Sequence, residues 1–124
     1  MSYGGGDISV ENIIEIHDYA IKRWGGLPGV RDEATLEYLI YTVKKENDPV
    51  EKSALIIYTL ATLHPFMDGN KRTAFMAANN QFALYGYLID TSNEEVYQFM
   101  LMVADNQKTL KDIKRWVRRY MRAR

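Results

Sequence analysis

The stretch His64-Pro65-Phe66-Met67-Asp68-Gly69-Asn70-Lys71-Arg72-Thr73 lies between two segments that are apolar on nearly every helical face, and its reading decides the fold. Proline disfavours helical dihedrals in the residue before it, so a helix arriving from the N-terminal side should end at His64. A second helix is expected from about Asn70 to Tyr85, stopped by Gly86. Two buried helices joined by a short loop make the centre of an all-α fold.

Working outward, the period stays helical. Ser9 can cap a first helix with Ile13, Ile16, Ala20 and Trp24 on one face, ended by Gly25 and Gly26. His17 is read as a polar residue of that helix. The segment GGLPGVR then turns, and Asp32 opens a second helix carrying Leu36, Leu39, Ile40 and Val43. Asp48, Pro49 and Glu51 give a cap, a first-turn proline and a capping-box acid for the helix that runs to Leu63. Ser92 with Glu95 repeats the capping box ahead of Val96, Phe99, Met100 and Val103. A terminal helix bears Leu110, Ile113, Val117, Tyr120 and Met121 at helical spacing, which brings the expected total to about six. No strand alternation stands out.

Composition narrows the chemistry. The chain has 124 residues and is 47% hydrophobic and 26% charged, which fits one domain over residues 8–124 behind a glycine-rich flexible leader, residues 1–7. With no cysteine, disulfides, thiolate zinc sites and cysteine nucleophiles are excluded. Two histidines, His17 and His64, disfavour a multi-histidine centre, so any metal should be a hard ion bound through oxygen. The opening MSYGGGDISV lacks a basic segment followed by an apolar one, and no apolar run nears the ~18 residues of a membrane span, so a soluble, cytoplasmic protein is expected. Formal charge is zero but uneven. Residues 107–124 hold eight basic residues against Asp112, giving +7 and leaving −7 on the rest. An exposed face of a docked amphipathic helix accounts for this, and direct nucleic-acid binding is not expected.

The loop itself breaks a local rule. An Asp before a helix is by default its N-cap, yet Lys71 and Arg72 place two cations in the first turn, against the positive end of the helix dipole. An anion bound at the helix N-terminus resolves the conflict: Gly69 permits close approach, first-turn amides donate to phosphate oxygens, and Arg72 adds bidentate contacts. Beside a polyphosphate, the Asp68 carboxylate could hold Mg²⁺. The pattern is not the nucleoside-triphosphate P-loop, since no GxxxxGK[ST] is present. His64 could serve as a base, although a helix C-terminus favours imidazolium and its surroundings must offset that.

HPFMDGNKRT resembles the signature of the Fic/Doc superfamily, HxFx[DE]xN[GK]R, at every specified position. GGLPGVRD and AFMAANNQFALYGY resemble the death-on-curing (Doc) toxin branch, so the likeness covers the chain apart from the leader. It implies a compact helical bundle with His64 as general base and Asp68 as Mg²⁺ ligand. It further implies Gly69 and Asn70 as the backbone anion hole, Arg72 as phosphate clamp, and Phe66 packed inward to fix the loop. ATP would be the co-substrate.

Lys71 divides the family. Glycine there accompanies AMP transfer, whereas lysine, as in Doc-like proteins, accompanies a reversed nucleotide and γ-phosphate transfer. Kinase activity is therefore the leading expectation, and AMP transfer the alternative, because Pro65 and Gly69 are the residues usual in AMP-transferring members. By resemblance, the target is a Ser or Thr of a translation factor such as elongation factor Tu, and the partner a Phd-like antitoxin whose disordered tail folds on the toxin. The loop Gly25 to Asp32, with Arg31, either grips the target or simply connects two helices. Thr42 to Asn47, TVKKEN, matches the inhibitory pattern [ST]xxxE[GN] through Thr42, Glu46 and Asn47, and is read as a chance match at a helix end. A non-catalytic helical binding module is the reading from another class.

Overall fold

The computed structural model describes residues 7–124, so the expected leader falls outside the described residues apart from Asp7. Asp7 is already tied in, because its carboxylate accepts from Gln81 Nε2 at 3.5 Å and from the Ile8 amide at 2.8 Å. Six helices follow: α1 (Val10–Trp24), α2 (Glu33–Lys44), α3 (Pro49–Leu63), α4 (Asn70–Ala83), α5 (Asn93–Ala104) and α6 (Leu110–Tyr120). The fold is all-α, as the helical period requires. Side-chain caps from Ser9, Asp32, Asp48 and Ser92 start α1, α2, α3 and α5 where the sequence places them.

Two of the expected capping boxes do not close. The Glu51 carboxylate instead pairs with Lys114 of α6 at 3.0 Å, and Glu95 accepts from the Trp116 indole at 3.0 Å. Both acids are diverted to α6, which they fasten to the body. A complete box forms at Thr109 and Asp112, at the start of α6.

Two strands also correct the reading of the sequence. β1 (Tyr87–Ile89) pairs antiparallel with β2 (Met121–Ala123), matching Tyr87 with Ala123 and Ile89 with Met121. Helix α4 therefore stops at Ala83, and Met121 leaves the α6 stripe to join a strand. Each strand is three residues, too short for alternation to register.

The centre is α3 against α4. Ser53, Ala54 and Ala61 of α3, with Ala74, Ala77 and Ala78 of α4, are buried small residues, which lets two backbones approach closely. Ser53 Oγ donates to the Ala78 carbonyl at 3.3 Å across that contact. Helix α4 is central yet less apolar than its sequence reading, for Asn70, Thr73 and Gln81 are buried in it. The larger apolar side chains, Ile13, Ile16, Leu36, Leu39, Ile57, Leu60, Phe82 and Ile113 among them, fill the space around this pair. Among the described residues no helix is long and apolar enough to cross a membrane.

Close packing at the α3–α4 contact leaves no room for branched additions. Ala78→Leu should destabilise the fold by about 1–3 kcal/mol, read as a lower urea midpoint at unchanged m-value.

Candidate active site

Helix α3 ends where proline requires, and His64 caps it in the left-handed region at φ 49° and ψ 60°. Such a backbone costs a non-glycine residue about 1 kcal/mol or more, so the surroundings must hold it. Arg31 does so in part, donating to the His64 carbonyl at 2.6 Å. The partly buried imidazole is thereby swung out of the helix into the connection.

The loop is closed on itself by Asn70. Its side-chain Oδ1 accepts from the Phe66 amide at 2.9 Å, and its Nδ2 donates to the Phe66 carbonyl at 3.0 Å. Both polar groups of one buried residue are thus satisfied by a single amide. Asn70 was expected to act through its backbone, and its side chain turns out to have this second part. Phe66 is fully buried, as expected.

The segment from Gly25 to Asp32 is more than a connecting turn, because it forms a bridge with the loop. Arg31 and Asp32 amides both donate to the Pro65 carbonyl, at 2.7 and 3.0 Å, and the Met67 amide donates to the Gly29 carbonyl at 3.0 Å. Val30 and Phe66 stand opposite each other in an antiparallel bridge.

Asp68 is not the N-cap of α4. That position is Gly69, at φ 75° and with no side-chain cap bond, so the amides of the first turn are left for another acceptor. The Asp68 carboxylate instead accepts from the Gly69 amide at 2.9 Å through Oδ1 and from the Leu27 amide at 3.2 Å through Oδ2. The Leu27 and then the Gly69 amide, with the Lys71 charge, keep its pKa below the usual carboxylate range. Gly26 has to be glycine, since a Cβ there would lie 2.9 Å from Asp68 Oδ2.

Asp68, Gly69, Asn70, Lys71 and Arg72 line one cavity of about 680 Å³, whose other walls include Trp24, Phe75, Met76, Val96 and Tyr97. The size falls within the range of small-molecule sites. Arg72 is steadied by Trp24, its guanidinium carbon 4.5 Å from the indole centroid. His64 is not part of the lining, but Lys71 is near enough for its charge to act on both His64 and Asp68. Every motif residue singled out from the sequence is therefore on one loop and the first turn it opens. Glu46, by contrast, lies in the turn beyond α2, and Arg72 has no acidic partner among the described residues, so the Thr42–Asn47 segment makes no inhibitory contact.

Partial burial, followed by the charges of Arg31 and Lys71, lowers the His64 pKa from 6.5. Desolvation and two cations thus supply the offset that a histidine at a helix C-terminus needs. The sequence reading also missed His17. Instead of an ordinary polar position, it is 1% exposed, stacked on Phe66 at 3.8 Å, with Nε2 2.8 Å from the Asp68 carbonyl. Its place in an otherwise apolar stripe of α1, with Ile13, Ile16 and Ala20, was the available signal.

The arrangement unites an imidazole of lowered pKa, an ionised carboxylate and a cationic helix N-terminus on one loop. Replacing Arg31 by Leu removes one of the cations that hold the imidazole down. The His64 pKa should then rise toward 6.5 without passing it, since burial remains; an NMR titration of the His64 ring follows the change.

Comparison with known proteins places the chain among relatives. A profile described as Fic/DOC family matches residues 7–82. The protein kinase doc of Escherichia phage P1 is 40% identical over 77 residues, a match covering 57% of this chain and 61% of that protein. The chain thus aligns with less than two thirds of that relative's length. Since the family profile takes in α1, the bridging segment, the loop and the helix it opens, this chain belongs to the Fic/DOC family.

Proposed function

We propose that the protein is a Doc-like toxin that transfers the γ-phosphate of ATP to a Ser or Thr hydroxyl of a target protein. The observation that carries this reading is Lys71, which lines the cavity with Arg72 and whose charge acts on both His64 and Asp68. A cation near both base and carboxylate suits the terminal phosphate of a nucleotide, where charge is densest. The likeness to a relative named a protein kinase points the same way.

His64, neutral at physiological pH, takes the proton of the target hydroxyl as its oxygen attacks the γ-phosphorus. The bond from that phosphorus to the β–γ bridging oxygen breaks, and ADP leaves. Lys71, Arg72 and the first-turn amides of α4 hold the phosphates in place and take up their charge. Trp24, Phe75, Met76 and Tyr97 give the cavity the apolar and aromatic wall that a purine needs.

Asp68 fits a magnesium ligand. It is exposed and held ionised, and each of its oxygens keeps a lone pair beyond its one backbone bond. Among the described residues no group of three or more His, Asp or Glu side chains could hold a metal, so with Asp68 as ligand, phosphate oxygens and water would complete the shell, as Mg²⁺ prefers. When bound, the ion would neutralise phosphate charge and orient the oxygens.

Leu27, Val30, Leu63 and Met67 are exposed apolar residues on or beside the bridged segment and the loop, and we assign them to the target protein, for which elongation factor Tu is the candidate. A Phd-like antitoxin would be the controlling partner. AMP transfer through the same site is the competing reaction, consistent with Pro65 and Gly69 in the motif.

Two substitutions test the chemistry. His64→Ala should abolish transfer from ATP labelled at the γ-position to protein in a lysate, at unchanged circular dichroism; residual transfer at wild-type rate would remove His64 from the mechanism. Lys71→Gly removes a cation and opens space while sparing His64, Asp68 and Arg72. It should lose γ-phosphate transfer and gain AMP transfer, seen by mass spectrometry as an AMP adduct on protein. Wild-type protein that already adds AMP would favour the competing reaction.

A further inference from the structure

A buried histidine in an apolar helical stripe is costly unless its ring nitrogens find partners. Nε2 of His17 meets the Asp68 carbonyl at 2.8 Å, a group that only accepts, so Nε2 carries the proton and donates. The bond joins residues 51 apart in sequence, from the middle of α1 to the residue just before Gly69. The same ring stacks on Phe66 with an interplanar angle of 5°, and its Cδ2 and Nε2 would lie 3.7 Å from a Cβ at position 69.

The peptide that this bond holds is a vulnerable one. Asp68–Gly69 precedes a glycine at φ 75°, whose missing Cβ makes rotation of the neighbouring peptide plane easy. In a trans peptide the carbonyl and the N–H point opposite ways. A flipped plane would aim a carbonyl oxygen where phosphate is to bind and break the Gly69 amide's bond to Asp68 Oδ1. Asp68 and Gly69 both line the cavity, so a wrong orientation there would repel an anion directly.

We infer that His17 is a positioning residue that locks the Asp68–Gly69 peptide with its carbonyl turned toward α1, so that the Gly69 N–H stays on Asp68 Oδ1 and the carboxylate is held at the nucleotide cavity. The inference rests on the nucleotide site proposed above. An aliphatic side chain at position 17 could fill the space but not hold the plane. The histidine does both: the ring packs on Phe66 and the nitrogen fixes the peptide.

The test uses the full chain with two variants. His17→Phe keeps a ring and removes the donor; His17→Gln keeps a donor of similar reach and removes the ring. Hydrogen exchange of the Phe66, Met67 and Gly69 amides, bonded to Asn70 Oδ1, the Gly29 carbonyl and Asp68 Oδ1, is measured without nucleotide, and Mg-ATP binding by calorimetry. The Phe variant should lose protection at these amides and bind Mg-ATP roughly 10- to 100-fold more weakly, as changes to supporting partners of a site typically do. The Gln variant should recover most of both. A folded Phe variant with wild-type protection and affinity overturns the inference, and so does a folded Gln variant that loses as much as Phe. If the Phe variant does not fold, the Gln variant alone decides by the same criterion. Should the wild type bind no Mg-ATP, the nucleotide reading fails, while exchange still reports whether His17 holds the peptide.

Discussion

The amide of Asn70, bonded to both backbone groups of Phe66, is the constraint from which the rest of the site follows. It turns the six-residue connection between two buried helices into a closed ring, with one polar side chain answering for a backbone that neither helix can satisfy. Phe66 is thereby pinned into the core between His64, which stays partly buried, and Asp68, which is exposed.

Electrostatics then sort these groups into roles. Asp68 accepts two backbone amides and stays ionised, while the His64 imidazole is partly buried and flanked by Arg31 and Lys71, which keeps it unprotonated. Lys71, one of the two cations that conflict with the α4 dipole, is also one of the two that lower the His64 pKa, so the local violation in the sequence acts on the base candidate as well as on the helix end.

Much of this could be read from the chain. Ser9, Asp32, Asp48 and Ser92 mark helix starts because capping is a local event within three residues, and Pro65 ends α3 for an equally local steric reason. What escaped was non-local. Glu51 and Glu95 carry the capping-box pattern but turn to Lys114 and Trp116, partners set by how α6 docks. The pairing of Tyr87–Ile89 with Met121–Ala123 depends on chain segments more than thirty residues apart and too short to show a period. His17 looked ordinary because its bond partner is a backbone carbonyl, which no side-chain pattern can announce. The source of the His64 shift escaped for a related reason: Arg31 reaches it from another segment.

The bridge of Gly29 to Asp32 with Pro65 to Met67, together with the His17 contact, has a consequence for how the site comes into being. The ten motif residues are contiguous, but what supports them arrives from a helix and a turn far upstream, and closing such a span carries an entropic cost that the motif alone cannot meet. The shape of the loop is therefore conditional on α1 and the turn after it being docked. A nascent or partly opened chain carries the whole motif without the contacts that give it this shape, so possession of the motif and possession of the site are different things.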